Sequence, residues 1–410
     1  MASAADAVTP TPTDPPRGVP GAKLMRSIQD RLAALKDLPA HGNRKLHFHP
    51  LIVALVTSFY DPLMRSLRAI EARSSKEPIT GSVVQRMARS TTSDALAAFD
   101  PQLLRDVIDN LHKQFPELSN SKNGDPHLRG ILKTIVAADA TYFSIFADVV
   151  WALHHTKSNG QKQGQVRINF QMSALDWIPK VVTVSGGEET DGSEPDAVAQ
   201  DLLSDVLYLV DRNFVDFEFI KAVRLKKSDL ILRLKKNNAY EVVHDHALSE
   251  EDIASGVLKD YTIRLTGSDA PQELFRLVEV RHASKPDEKV ILLTNLIDRS
   301  IPARIIAHAY KQRWQIELFF RWLKVWCNFD HLLSTSRRGI TTQMYVIVIA
   351  TLLMRIHLGR KVSKYTLIAF RQIAMGQATE QEMEQYLARR DREKELDRIR
   401  LAKKAAAKKA

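Results

Sequence analysis

The chain has 410 residues, of which 44% are hydrophobic and 26% are charged, and its formal net charge is +11. This length and composition can bury a sizeable core in one large domain or two to three smaller ones, and the positive balance favours a polyanionic partner, most simply nucleic acid. The single cysteine, Cys327, excludes an internal disulfide and a cysteine-cluster zinc site, which fits a reducing cytosol.

The N-terminus predicts a disordered tail over residues 1–22, where five prolines stand among small residues. Such a segment cannot bury enough apolar surface to offset the entropy lost on ordering. No cationic stretch is followed there by an apolar one, and the longest apolar run, residues 344–354, is too short to cross a bilayer. We therefore expect a cytoplasmic protein without a membrane-spanning segment.

The stretch from 23 to 125 predicts an all-helical N-terminal region, because its apolar residues recur at helical spacing, as in Leu51, Leu55 and Phe59. Within it, Gly81-Ser82 and Thr92-Ser93 are suited to begin two short helices. This pair is either a DNA-binding helix-turn-helix or an ordinary helix pair of a helical domain.

A sheet is predicted next, over 126–227. Residues 166–172 alternate between apolar and polar, as in a strand with one wet face, and further strands are expected at 131–140 and 180–184. A helix is expected at 196–203. The wholly apolar run 206–210, typical of a central strand covered on both faces, ends abruptly at Asp211.

Residues 228–295 predict a β-rich insertion, with strands at 230–234, 261–265, 274–280 and 290–293. Its entry, residues 221–236, holds seven Lys/Arg and one Asp, which suits either phosphate contacts or a solvated surface. A long helix is then predicted from Pro302 past Trp326. The last segment, 376–410, predicts a basic solvated helix that frays into a tail.

Four polar residues of that long helix form a row. Tyr310, Arg313, Glu317 and Lys324 fall within an arc of about 60° on a continuous helix, at about 100° per residue. Taken alone, the row also suits a solvated helix face with ion pairs four residues apart. Phe319, which falls on the opposite side, would anchor the helix on a core.

The pattern Tyr-x2-Arg-x3-Glu-x6-Lys formed by these four residues resembles the signature of DDE transposases of the insertion-sequence-four family. The resemblance implies that Glu317 is the third catalytic carboxylate and that Tyr310, Arg313 and Lys324 grip the backbone of the transposon end.

The resemblance also implies an aspartate in the first core strand and a second one directly after a buried strand. Asp139, followed by Ala140 and Thr141, fits the first, and Asp211 fits the second. The family often has glycine where this chain has Asn213, a residue that tolerates a left-handed backbone.

Such a family implies an α/β ribonuclease-H-like catalytic core, formed here by residues 126–227 and 296–375. Three carboxylates that meet in a cleft need cations, and Mg²⁺ suits this donor set, with Mn²⁺ as a substitute. By analogy, Asp139, Asp211 and Glu317 would hold two ions, while Arg212 and Arg321 would add backbone contacts. A homodimer is expected, because an element has two ends that must be cut together.

The resulting hypothesis is a transposase that cleaves DNA at the inverted-repeat ends of an insertion sequence and joins the 3′-hydroxyl ends to target DNA. Such a protein would be cytoplasmic and nucleoid-associated when bound. Two alternatives stay open: a catalytically silent, domesticated DNA-binding protein, and a host nuclease of the same fold that cuts without joining.

Overall fold

The computed structural model describes residues 22–37, 46–61, 63–64, 66–74, 87–114, 128, 132–145, 153–156, 162–186, 194–234, 238–282, 285, 287–327 and 331–407. The chain divides into two compact units. One unit, here called the helical unit, combines Met1–Gln114 with Lys324–Ala410, and the other, the sheet unit, is Phe115–Leu323. Of the predicted tail at 1–22, residues 1–21 lie outside the described residues, and Ala22 begins the first helix.

Every regular element described between residues 22 and 114 is a helix. The helices of the helical unit are α1 (Ala22–Arg31), α2 (Phe48–Tyr60), α3 (Leu67–Ser74), α4 (Arg89–Ala98), α5 (Arg105–Lys113), α11 (Arg337–Leu358), α12 (Lys364–Ala374) and α13 (Glu380–Ala407). Their packing explains the helical spacing of the apolar residues, since Leu51, Leu55 and Phe59 of α2 are all buried.

The sequence-based helix boundaries near residue 90 were wrong. Helix α4 begins at Arg89, so Thr92 lies inside the helix and not at its cap. The Thr92 hydroxyl donates to the Ala88 carbonyl, which is the back-bonding of a threonine within a helix. Ala88 precedes this helix in an extended conformation, and residues 81–86, the start of the first predicted helix, lie outside the described residues.

Helix α11 is the central helix of its unit. Among the described residues it alone is long and apolar enough to cross a membrane by length and composition, although 83% of its most apolar window is buried inside the protein. The expectation of a run too short to span a bilayer was therefore wrong on length, because helical residues beyond 344–354 extend the element to 22 residues. Burial of this kind is what the core helix of a helical domain shows.

The strands of the sheet unit are β1 (Thr134–Ile145), β2 (Leu153–Thr156), β3 (Lys162–Ser173), β4 (Ile178–Ser185), β5 (Val206–Val210), β6 (Asp229–Arg233), β7 (Tyr240–Asp245), β8 (Val257–Leu265), β9 (Leu274–Arg281) and β10 (Lys289–Thr294). Strand β5 has the predicted bounds. Strand β7 and the short helix that follows it, Glu250–Ala254, were not predicted.

All these strands join one sheet in the order β2-β3-β1-β5-β6-β10-β9-β8-β7, and β4 also pairs with β3. Strands β1, β5 and β6 are parallel neighbours, whereas the pairs on either side of them are antiparallel. The β-rich segment after β6 thus continues the same sheet through β10.

The helices of the sheet unit connect these strands. They are α6 (Glu194–Ala199), α7 (Phe217–Leu225), α8 (Glu250–Ala254), α9 (Ala303–Lys311) and α10 (Trp314–Trp326), of which α10 runs into the helical unit. One face of the central strands, with Val136, Tyr208, Val210 and Leu232, packs into a core with Phe219 of α7. The opposite face is the one that carries the candidate site.

The single helix expected from Pro302 past Trp326 is two helices, which corrects the prediction. Between α9 and α10 the backbone bonds shorten to three-residue spacing, as in Arg313 N–H to the Tyr310 carbonyl and Ile316 N–H to the Arg313 carbonyl. Such bonds tighten a helix locally. Arg313 therefore lies in a turn between the two helices, and the arc calculated for a continuous helix does not apply across it.

Candidate active site

Asp139 and Asp211 lie at matching positions of two parallel strands. The last paired residues of β1 and β5 are Ala137 and Leu209, and each aspartate lies two residues farther along its chain. Since side chains two residues apart share a face of a sheet, both aspartates share the face opposite the Val136 core, on strands about 4.8 Å apart.

A packing contact brings the glutamate helix to this face. Phe170 of β3 pairs directly with Asp139 of β1, so their side chains share one face. The Phe170 ring packs edge-on against Phe319 and Phe320 of α10, with centroid distances of 5.8 and 5.6 Å. Because Glu317 lies one helical turn before Phe320, this contact turns Glu317 toward Asp139.

A second contact fixes the beginning of α10. The indole N–H of Trp177 donates to the Gln315 side-chain carbonyl at 2.9 Å, and the Trp177 ring packs against Phe319 with centroids 6.0 Å apart. Trp177 has a φ of 57°, a left-handed backbone that is strained for a bulky residue. The tight turn between β3 and β4 thus aims an indole at the helix that carries Glu317.

Arg313 lies between two of the three candidate carboxylates. One of its guanidinium nitrogens lies 2.6 Å from Glu317 Oε1, and the other lies 3.6 Å from Asp139 Oδ2. The Arg313 side chain is only 14% exposed, so the contacts form with little solvent screening. One guanidinium group therefore links β1 with α10.

Asp211 and Tyr310 both influence the pKa of Arg313. Burial raises the pKa of Tyr310 to about 12, with Arg313 lowering the pKa and Asp211 raising it. Burial lowers the pKa of Arg313, but the negative charges of Glu317 and Asp211, together with Tyr310, outweigh burial and raise it overall. Arg313 thus contacts Asp139 and Glu317, and the charges of Asp211 and Tyr310 also act on it.

The remaining predicted residues lie farther out. Arg212 follows Asp211 in a short turn, Arg212–Phe214, and is exposed, as is Arg321 of α10. Lys324 is half-buried and is the first residue that clusters with the helical unit. Trp322 of α10 is buried, whereas Trp314 at the start of this helix is 55% exposed.

Arg233 was missed as a site residue, although it belongs to the basic stretch at 221–236. Strands β5 and β6 pair in parallel, with Val210 opposite Leu232, so Arg233 lies beside Asp211 at the next position. The positive charge of Arg233 lowers the pKa of Tyr310. The alternation of β6 could have revealed it, because an arginine that ends a buried strand beside an aspartate is a candidate charge partner.

Other cations of that basic stretch have carboxylate partners. Lys221 Nζ lies 2.7 Å from Glu218, and Arg224 contacts Glu273. Part of the stretch is thus neutralised within the protein, as the solvated-surface alternative holds, whereas Arg233 lies beside Asp211.

A buried ion pair holds the loop that leads into α9 and hence to Tyr310. Arg276 of β9 donates two hydrogen bonds to Asp260 of β8, at 2.9 and 2.7 Å, and another to the Ile301 carbonyl at 2.7 Å. Asp260 also accepts from Arg299 at 2.7 Å. At the start of α9, the Arg304 backbone N–H donates to Asp252 at 2.9 Å. The β-rich segment therefore anchors the helix that carries Tyr310.

A divalent cation needs several oxygen ligands close together. In the part of the chain that the structure describes, no three His, Cys, Asp or Glu side chains lie close enough together to hold a metal ion. The three carboxylates offer the hard oxygen donors that Mg²⁺ prefers, and Asp139 and Glu317 are 22% and 31% exposed. Their chemistry therefore suits such an ion, which would have to displace the Arg313 guanidinium from Asp139 and Glu317.

Charge repulsion explains why a divalent ion would displace Arg313. Two unit charges 4 Å apart interact by about 4 kcal/mol at an effective dielectric constant of 20, and a divalent ion doubles this to about 8 kcal/mol. An ion at the carboxylates would repel an adjacent guanidinium by that amount. A divalent cation at these oxygens would therefore compete with Arg313.

Similarity to known proteins identifies the family of this chain. A family model described as Transposase DDE domain matches residues 130–353, more than half of the chain. A protein of Sinorhizobium fredii named as transposase y4zB is 30% identical over 207 residues, which cover 49% of this chain and 55% of that protein. A Synechocystis protein named as a transposase for insertion sequence element IS4SA is 24% identical over 273 residues, 65% of this chain and 71% of that one.

The chain spans about half the length of the first of these relatives. Among solved structures, a piggyBac transposase in a synaptic complex with hairpin DNA is 13% identical, with a TM-score of 0.40 over 91% of this chain and 84% of that one. That score is too low for an argument about the fold.

Proposed function

Since the chain belongs to the family of transposase DDE domains, we propose that it cuts DNA at the ends of an insertion sequence and joins the 3′-hydroxyl ends to target DNA. Asp139, Asp211 and Glu317 are the proposed catalytic carboxylates. The observation that carries this proposal is that Asp139 and Asp211 follow matching positions of β1 and β5, and that Arg313 links Asp139 to Glu317 of α10.

The sheet supports a ribonuclease-H-like core as the proposed fold. The sheet is mixed, as such a core requires. Strands β1, β5 and β6 run parallel, and β3 is antiparallel to β1. In this proposal residues 126–227 and 296–375 form the core, 228–295 form the insertion, 23–125 form a helical region, and 376–410 form a basic C-terminal segment.

The proposed cofactor is a pair of Mg²⁺ ions, with Mn²⁺ as a substitute, held by Asp139, Asp211 and Glu317. When bound, such ions activate a water or a 3′-hydroxyl on one side of the phosphorus and stabilise the leaving oxygen on the other. The fixed strands β1 and β5 hold the two aspartates side by side, so their oxygens need little reorganisation. Phe319 and Phe320 pack α10, which carries Glu317, against Phe170 beside Asp139.

Tyr310, Arg313 and Lys324 are proposed to bind the DNA backbone near the cut. Tyr310 stays protonated at neutral pH, because burial raises its pKa to about 12, so its hydroxyl can donate to a phosphate oxygen. Arg313 offers a planar fork for bidentate phosphate contacts, and Lys324 a point charge. The exposed Arg212 and Arg321 would add contacts at the rim.

The assignment to the insertion-sequence-four family is also a proposal. It rests on the spacing of Tyr310, Arg313, Glu317 and Lys324, and a relative named for element IS4SA supports it. A homodimer that pairs the two inverted-repeat ends, and a cytoplasmic, nucleoid-associated location, complete the proposal.

The test is a cleavage assay with purified protein, Mg²⁺ and DNA that bears the inverted repeats flanking the reading frame. We expect nicks at the repeat boundary and joining of the 3′ ends, both lost in Asp211→Asn. Removal of several kcal/mol of metal-mediated stabilisation corresponds to a loss of about 10³-fold or more. Binding without cleavage would instead indicate a silent DNA-binding protein, and cleavage of arbitrary DNA without joining would indicate a host nuclease.

A further inference from the structure

Arg313 is the cation of the candidate site. Its guanidinium contacts Glu317 at 2.6 Å and Asp139 at 3.6 Å, and the charge of Asp211 also acts on it. A divalent ion that bound these oxygens would have to displace the guanidinium. Arg313 thus pairs with two of the three carboxylates in the protein alone, and its charge also acts on the third.

From this arrangement we propose that Arg313 is an exchange residue, which leaves the carboxylates for a DNA phosphate and so couples the binding of divalent ions to the binding of DNA. The inference rests on the proposed function and concerns the regulation of the same site. A guanidinium forks equally well to a carboxylate and to a phosphodiester, so Arg313 can change partner without loss of geometry.

The formal charges favour such an exchange. Apart from Arg233, which is the same in both states, three carboxylates with Arg313 carry a net charge of −2, and the same groups with two divalent ions carry +2. A phosphodiester group lowers the charge of the second state and gives the displaced guanidinium a new partner. Ions and DNA therefore each stabilise the arrangement that the other needs, and by linkage each raises the affinity of the other by the same factor.

The position of Arg313 in the chain allows this movement. Arg313 lies in the turn between α9 and α10, where the backbone bonds have three-residue spacing, and not in the interior of either helix. Glu317, by contrast, lies within α10, which Phe319 and Trp177 hold in place. Packing therefore fixes the position of Glu317, whereas Arg313, which contacts its carboxylate, lies in a turn.

The coupling also suits the biological risk of such an enzyme. A protein without DNA would keep its carboxylates paired with Arg313 and bind ions weakly. Bound DNA would recruit Arg313 and open the carboxylates to ions, so that the cutting site forms on DNA and not before.

The test measures ion binding directly, by the electron paramagnetic resonance signal of free Mn²⁺ titrated into protein without DNA. We expect Arg313→Gln to bind Mn²⁺ at least tenfold more tightly than the wild type. Arg304→Gln is the matched control, because it removes another arginine–carboxylate contact, to Asp252, at the start of α9. That variant should bind Mn²⁺ as the wild type does.

A second arm adds a duplex that ends in the inverted repeat at its 3′-hydroxyl, which leaves no bond to cut. The duplex should tighten Mn²⁺ binding to the wild type by about the factor seen in Arg313→Gln, and should tighten binding to Arg313→Gln far less. If Arg313→Gln fails to fold, as judged by its thermal unfolding, the wild-type arm decides, and no gain with the duplex would overturn the proposal.

Two further outcomes separate this inference from the proposed function. Equal Mn²⁺ affinity in the wild type and Arg313→Gln, with weakened binding in Glu317→Gln, would overturn the exchange and leave the metal site intact. Mn²⁺ binding that is unchanged in Asp139→Asn and in Glu317→Gln would remove the metal site, and with it both proposals.

Discussion

Asp139 and Asp211 extend the register of two parallel strands by the same two residues beyond the Ala137 and Leu209 pair. Their alignment follows from the fold, because each ends a buried stretch of a neighbouring strand: Ile135 to Ala138 in β1 and Val206 to Val210 in β5. The two carboxylates are thus held by backbone pairing, whereas Glu317 depends on the packing of a helix.

That dependence predicts the effect of Phe319→Ala. Phe319 is fully buried against Phe170 and Trp177, so its removal leaves a cavity and should lower the free energy of unfolding by about 3–5 kcal/mol. Urea unfolding measures this loss. Val325→Ala, on the same helix but 64% exposed, should change stability by about 0.5 kcal/mol or less. Equal effects of the two substitutions would refute the proposed anchor.

The Arg276–Asp260 pair predicts a large effect of removing one charge. Asp260→Ala leaves Arg276, which is 1% exposed, without its carboxylate, so the free energy of unfolding should fall by about 3–5 kcal/mol. Glu241→Ala serves as the control, since it removes an exposed pair with Arg264 and should cost about 1 kcal/mol at most.

Both variants are compared by chemical denaturation at one pH and salt concentration. A stable Asp260→Ala protein would mean that Arg276 is satisfied by the carbonyls of Asp298 and Ile301 alone. In that case the buried pair would not anchor the segment before α9.

The raised pKa of Tyr310 predicts that ionisation of this residue does not change the DNA affinity between pH 7 and pH 10. Its pKa is raised to about 12, which favours the protonated phenol, so Tyr310 remains a hydrogen-bond donor from pH 7 to pH 10. DNA affinity of the wild type should show no step from Tyr310 in that window. Tyr310→Phe should weaken DNA binding by about 1 kcal/mol, roughly fivefold, at every pH.

Fluorescence anisotropy with labelled inverted-repeat DNA, at fixed ionic strength, measures both affinities. A loss of wild-type affinity with a midpoint near pH 10 that Tyr310→Phe lacks would show that the phenol ionises in the ordinary range. The role assigned to its burial would then be wrong.

The sequence predicted most of the central sheet because local signals agree there. Strand β5 has its predicted bounds, since five buried apolar residues end at a charged one. Strand β7 was missed because its residues from Glu241 to Asp245 are exposed on both faces, which leaves no periodic pattern to detect.

The sequence indicated candidate site residues but not their geometry. The resemblance of their spacing to a family signature pointed to Tyr310, Arg313, Glu317 and Lys324, yet it treated them as one helix. The break at Gln312 and Arg313 has no helix-breaking residue to announce it, and Arg313 there makes contacts with Asp139, which is far away in sequence. Tertiary contacts of this kind override local helical propensity. Arg233 was missed because its role depends on strand register.

The central claim is that Asp139, Asp211 and Glu317 share divalent ions, and crystals of the protein bound to inverted-repeat DNA and Mn²⁺ test it most directly. Anomalous scattering should show Mn²⁺ between the oxygens of these three carboxylates, with the Arg313 guanidinium turned to a phosphate. Density for Arg313 still lying between Asp139 and Glu317, with Mn²⁺ bound elsewhere, would contradict the account.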